Sequence, residues 1–213
     1  REKLKAEFSN GKLLFLGNDE CGINYADNTY FYRQDSSFLY YFGVSQPNLI
    51  ALIDIDEDRE YIFGDNPTID SIVWTGSQPD IKDIAERSGV KYTGSLSEFH
   101  KIIDKTDVGN IKYLPPYRAE HYLKLKGFLN YSVAEANAKA DKEFITAIAN
   151  QRNIKSEEEI EEIEKAVSVT ADMHLAAMNY AREGMTEAMV TAKVHEVALA
   201  AGGNIAFPII ATI

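Results

Sequence analysis

The sequence predicts an α/β protein, a mixed sheet with flanking helices, followed by a largely helical second part. Three observations predict it. Between residues 12 and 129, short apolar β-prone runs alternate with helical patterns. From about Ser132, Ala and charged residues dominate, and strand signals vanish until the last few residues. The length, 213 residues, supports a real core, with roughly 70% of the unfolded surface buried on folding.

Residues 1–9 read as an amphipathic helix stopped at Asn10-Gly11. Lys12–Leu16 is a short apolar strand closed by Gly17-Asn18-Asp19. Residues 19–34 are polar and Tyr-rich with no clear period. Asp35-Ser36-Ser37 caps a short helix through Tyr41, before Gly43. Leu49–Ile55 reads as a buried strand, with Glu60–Phe63 its hairpin partner across the turn Asp56–Arg59. Pro79 starts a helix that runs through Arg87 and stops at Gly89. Val90–Thr93 and Ile111–Leu114 are strands, and Ser95–Thr106 and Arg118–Leu129 are helices.

A domain boundary is expected between 132 and 155: a first domain over 1–140, a linker over 141–155 and a second part over 156–213. Ser156-Glu157-Glu158-Glu159 is a capping box, and its acids suit a helix N-terminus. Ile160, Ile163, Val167, Thr170, His174, Met178 and Ala181 recur every three or four positions, predicting one core-facing stripe up to Gly184. Thr186 opens another helix, stopped by Gly202-Gly203. The run Ala206–Ile213 is apolar and β-prone and reads as a strand. A chain that begins at Arg1 and stops within such a run is expected to be a piece of a longer protein, with chemistry beyond Ile213.

Composition narrows the function classes. Lys and Arg number 22 against 33 Asp and Glu, a net charge of −11, with no cluster of four or more basic residues. Duplex nucleic acid is therefore not an expected partner. The Glu-rich run at 157–164 reads as a solvated helix face. One cysteine, Cys21, permits no intrachain disulfide and no Cys-based zinc site, and reads as structural. No apolar run approaches a membrane span and no signal peptide appears, so the cytoplasm is the expected compartment.

Templates for catalysis find little here. His195-Glu196 lacks the second His that a zincin helix needs, because position 199 is Leu. His174, on the apolar stripe, reads as a core histidine. His100 and His121 show no metal-ligand spacing. Glycine-rich nucleotide loops and the serine nucleophile elbow are absent. The residues by themselves support a soluble α/β domain joined to the start of a second one.

Four segments, in order along the chain, add a resemblance. Tyr32-Arg33-Gln34-Asp35-Ser36-Ser37-Phe38 continues through Tyr41 to Gly43. Trp74-Thr75-Gly76 follows. Arg152, Lys155, Ser156, Glu159 and Ile160 lead to Gly184-Met185-Thr186-Glu187, where Glu183 stands in place of a usual Pro. Last comes Phe207-Pro208 with Ile210. Together they resemble aminopeptidase P, the Xaa-Pro aminopeptidase branch of the creatinase/prolidase "pita-bread" metallopeptidases.

The resemblance implies a creatinase-like N-terminal domain followed by the first helices and strand of the pita-bread domain. It implies a cytosolic metallopeptidase that removes the residue preceding proline, with a proline-containing peptide as substrate and neither nucleic acid nor membrane as partner. It implies two divalent ions, Mn²⁺ above all, activating a water and polarising the scissile carbonyl. Their ligands lie after the last segment, so no catalytic or metal residue is assigned here, and this stretch alone is expected to be inactive. A homo-oligomer, dimer or tetramer, through the N-terminal domain is also implied. By the resemblance, Trp74 is expected to reach toward a neighbouring subunit's proline site, or else to anchor a turn. By the same resemblance, Phe207 is expected at the edge of the pocket for the N-terminal residue, or else in a core. Arg33 and Asp35 are expected to form a hydrogen-bonded pair. An X-Pro dipeptidase and a protein-binding pseudo-peptidase of the histone-chaperone kind are the alternatives.

Overall fold

The computed structural model describes residues 1–212, which fall into two compact units that divide after Asn153. The first unit is built on a five-stranded mixed sheet of order β6-β5-β4-β1-β7. Its strands are β1 (Lys12–Leu16), β4 (Ile50–Asp54), β5 (Arg59–Phe63), β6 (Tyr92–Gly94) and β7 (Ile111–Tyr113). β4 runs antiparallel to both β1 and β5, while β1 pairs parallel with β7 and β5 with β6. Every residue of β4 is buried, as a central strand covered on both faces requires.

Period-two alternation sends side chains to two cores. On one face Leu13, Phe15, Ala51, Ile53 and Ile62 meet helices α2 (Ser36–Phe42), α4 (Ile81–Arg87) and α8 (Lys142–Asn153). On the other, Leu14, Leu52, Phe63 and Tyr113 meet α5 (Leu96–Ile103), α6 (Ala119–Leu129) and α7 (Val133–Ala138). The result is three layers, helices on both sides of a sheet. The N-terminal helix α1 (Glu2–Lys5) adds Leu4 to the first core.

Three features of this unit differ from the sequence expectation. Residues 19–34 hold a small exposed hairpin, β2 (Gly22–Tyr25) with β3 (Asn28–Thr29). Ile69–Thr75 forms a helix, α3, that no periodicity announces. The expected linker 141–155 is instead largely α8, because Phe144 and Ile148, one helical turn apart, bury in the first core.

The second unit is a helix pair, α9 (Glu157–Tyr180) and α10 (Glu187–Ala200). The capping box is formed: Glu159 N donates to Ser156 Oγ at 3.3 Å, and Ser156 N to Glu159 Oε2 at 2.9 Å. The stripe expected to face a core does not: Ile160, Val167 and Met178 are 48%, 55% and 67% exposed, and His174 is exposed too. No residue of α9 is buried. Residues 206–212, expected as a strand, are not one; a strand needs a partner for its backbone groups, and among the described residues no strand pairs with this segment. Ile213, the end of that expected strand, lies outside the described residues. Among those residues no helix is long and apolar enough to cross a membrane.

Candidate functional site

A buried polar network gathers at the carboxyl end of β1. In open α/β sheets this is the edge where ligands settle. Gln34, 2% exposed, is the hub: its Oε1 accepts from Asn18 N and Asp35 N, each at 2.8 Å, and its Nε2 donates to Gln46 O at 2.8 Å. One amide thereby ties the loop after β1, the start of α2 and the loop before β4. Tyr32 Oη lies 3.0 Å from Gln46 O and 3.3 Å from Asn18 O. Burial and the nearby Asp19 charge push the Tyr32 phenol well above its usual pKa.

Asp35 caps α2, its Oδ1 accepting from Ser37 N at 2.9 Å and Phe38 N at 2.8 Å. Its other oxygen accepts from Tyr117 Oη at 3.2 Å. The expected Arg33–Asp35 pair is therefore not made: both carboxylate oxygens are engaged elsewhere, and Arg33 is exposed, contributing its carbonyl to Asn18 Nδ2. His121, 4% exposed, places Nε2 3.3 Å from Gly17 O. Burial, then the Lys124 charge, lowers its pKa. Lys124 Nζ reaches Asp19 Oδ1 at 2.5 Å and Gly17 O at 3.2 Å. The sequence offered Gln34 only within the Tyr32–Gly43 segment and His121 only as a histidine without metal-ligand spacing, and it pointed to neither Tyr117 nor Lys124, because the contacts join residues as much as 107 positions apart.

Next to this network, a cleft of about 690 Å³ opens between α3 and the sheet edge, lined by Glu20, Asp65, Ser71, Thr75, His100 and Phe128 among others. Trp74 sits on α3 and is 88% exposed, with Val73 76% and Ile69 81% exposed beside it. The indole is thus open rather than partly buried within this unit. The helix is capped by Thr68, whose Oγ1 accepts from Ser71 N at 3.2 Å. It ends at Gly76 with φ 78° and ψ −176°, a conformation only glycine adopts readily, which explains the glycine of Trp74-Thr75-Gly76.

In the second unit Phe207 is 69% exposed. It lines a cleft of about 890 Å³ with Val169, Met173, His174 and Val194. His195 Nε2 lies 3.1 Å from Asn204 Oδ1. Among the described residues no group of three or more His, Cys, Asp or Glu is placed to hold a metal ion. Nothing among the described residues fits the implied metal pair.

The sequence profile of the aminopeptidase P N-terminal domain matches residues 1–111. The chain belongs to the aminopeptidase P N-terminal domain family. Among curated relatives, the Xaa-Pro aminopeptidase of Escherichia coli K12 is 26% identical over 187 residues, 80% of this chain and 41% of its own length. A probable Xaa-Pro aminopeptidase of Botryotinia fuckeliana is 26% identical over 76% of this chain and 30% of its own. Among solved structures, an alanine variant of E. coli aminopeptidase P matches with TM-score 0.76 at 22% identity, over 95% of this chain and 48% of that one. A zinc-substituted form of that protein, in complex with product, matches with TM-score 0.75. These structures show the shared fold. The chain spans less than half the length of these relatives.

Proposed function

We propose that this chain is the N-terminal part of a metal-dependent, cytoplasmic Xaa-Pro aminopeptidase, and that Trp74 contributes the apolar wall against which a substrate proline packs. The family and the names of its relatives support the peptidase reading. The observation that carries the role of Trp74 is its exposed indole on a helix with no buried residue. Within this unit nothing covers that face, so it is free to meet a substrate or a second copy of the chain. Proline makes a tertiary amide with no N–H, so its site must recognise a ring, and a flat aromatic face does so without a hydrogen bond.

On this reading the partners are proline-containing peptides and further copies of the chain in a dimer or tetramer, with neither nucleic acid nor membrane involved. Divalent ions, manganese foremost, would be held by residues other than those described, and this stretch alone would be inactive. Phe207 is assigned to the wall of the pocket for the N-terminal residue, consistent with its exposure beside an apolar cleft. The test is Trp74→Ala in a chain long enough to turn over an X-Pro-X peptide. Loss of one aromatic packing face is expected to lower kcat/KM about tenfold, with the melting midpoint held. Unchanged turnover at unchanged stability would remove Trp74 from the substrate site.

A further inference from the structure

We infer that Asn66 is a positioning residue, a clasp that closes the base of the arm bearing Trp74 and limits how far the indole can swing. The arm runs from residue 65 to residue 80, and no side chain in it is buried. Burial resumes at each end, at Gly64 and Ile81. A Cβ on Gly64 would stand 2.6 Å from Leu49 Cδ2 and 3.1 Å from Ile81 Cδ1, so the chain enters the arm pressed against the core.

A segment without buried apolar side chains takes its orientation from its base. The hydrogen bonds within the arm are local: Ser71 with Thr68, Thr75 with Ser71, Gln78 with Thr75. At its far end Asp80 caps α4, and at its near end two side-chain bonds tie the arm to the body. Asn66 Oδ1 accepts from Ile81 N at 2.9 Å, and Asp65 Oδ1 accepts from Leu96 N at 3.2 Å. The Asn66 bond joins the two ends of the arm directly and is partly buried, whereas the Asp65 bond is exposed.

The bond also completes a helix start. The first N–H groups of α4 have no partners within the helix. Asp80 Oδ1 takes those of Lys82 and Asp83, and Asn66 takes that of Ile81. α4 is fixed in the core through Ile81, Ile84 and Ala85. The arm is therefore fastened at its near end to an element that cannot move independently. Without Asn66 the fourteen residues between it and Ile81 have one fewer constraint, and loop motion on the nanosecond-to-microsecond scale follows.

Trp74 is the chain's single tryptophan, which makes the arm directly observable. Chymotrypsin cutting after Trp74 reports arm opening, and cutting after Phe31, 77% exposed on another loop, is the internal reference. Asn66→Ala is expected to raise the Trp74 rate relative to Phe31 about tenfold. Indole fluorescence anisotropy should fall, and the melting midpoint should move little. Asn66→Asp keeps the acceptor oxygen and should restore both readouts. An unchanged ratio in Asn66→Ala overturns the clasp. So does a variant that melts earlier and is cut faster at both sites alike, since Asn66 would then be merely structural.

The consequence for turnover rests on the proposed role of Trp74. In a chain that cleaves an X-Pro-X peptide, Asn66→Ala should raise KM about fivefold, with no further effect on top of Trp74→Ala. A faster cut with KM unmoved supports the clasp and removes Trp74 from the substrate, so the two ideas fail separately.

Discussion

Between Arg1 and Asn153, a sheet sandwiched by helices leaves Leu13, Phe38, Ala51 and Phe144 with no measurable exposure; from Ile154 on, Ala198 is the one buried apolar side chain among the described residues. Both units carry well-formed helices with capping boxes, at Asp80, Ser95 and Ser132 in the first and Ser156 in the second. The difference lies in what the helices pack on. Caps and propensity write a helix, but most of its stability comes from burying an amphipathic face. In the first unit the sheet supplies that cover. In the second, two helices lie beside a cleft and leave the stripe from Ile160 to Met178 largely open.

The contrast is broken most directly in the first core. Phe15 is 2% exposed, with its ring centroid 5.2 Å from Tyr41, 5.4 Å from Phe42 and 5.2 Å from Phe144. It therefore links β1 to α2 and α8. Phe15→Ala removes that packing and leaves a cavity among helices fixed on three sides, so a loss of about 3–5 kcal/mol is expected. Urea unfolding followed by the aromatic circular dichroism of this unit measures it. A loss under about 1 kcal/mol would mean that this core is not the seat of cooperative stability.

A smaller effect follows from the buried polar edge. His121 sits among Lys124, Asp35, Glu120 and the Tyr117 ring, with Nε2 on Gly17 O. Burial, then Lys124, lowers its folded pKa below the ordinary 6.5. The unfolded chain then binds a proton that the folded one refuses, so stability is full above pH 6.5 and declines as the pH falls from there toward the folded value. His121→Gln keeps a donor for Gly17 O but cannot titrate. Its stability should fall less steeply than that of the parent between pH 6.5 and 5, the range in which an unperturbed histidine titrates. Parallel slopes would show that carboxylates alone govern the acid limb.

The strands of the first unit were legible because Lys12–Leu16 and Leu49–Ile55 are apolar apart from Lys12 and Asp54 and bounded by turn residues. The Ser156 box was legible because capping is local. The α3 helix was not: Ile69, Ile72, Val73, Trp74 and Thr75 are β-prone, and only Thr68 and Gly76 mark its ends. α8 was hidden by its place in a composition change, although Phe144 and Ile148 carried the signal. The exposure of Trp74 and the Gln34 hub depend on which loops meet at one sheet edge, and local pattern holds no such information. The stripe on α9 shows the same limit from the other side. Its period was readable, but whether anything covers it was not.

That stripe yields the smallest expected effect and the sharpest reading of the contrast. Val167 is 55% exposed in mid-helix. Val167→Ala removes two methyl groups that are half in water, so little transfer free energy is lost. It also replaces a β-branched residue, restricted at χ1 against the preceding turn, with the best helix former. The two contributions oppose each other, and a net change within about 0.5 kcal/mol is expected in the helical circular dichroism melt. A loss above about 1 kcal/mol would mean that in solution the stripe is covered, and that the difference between the two units is one of partners rather than of intrinsic packing.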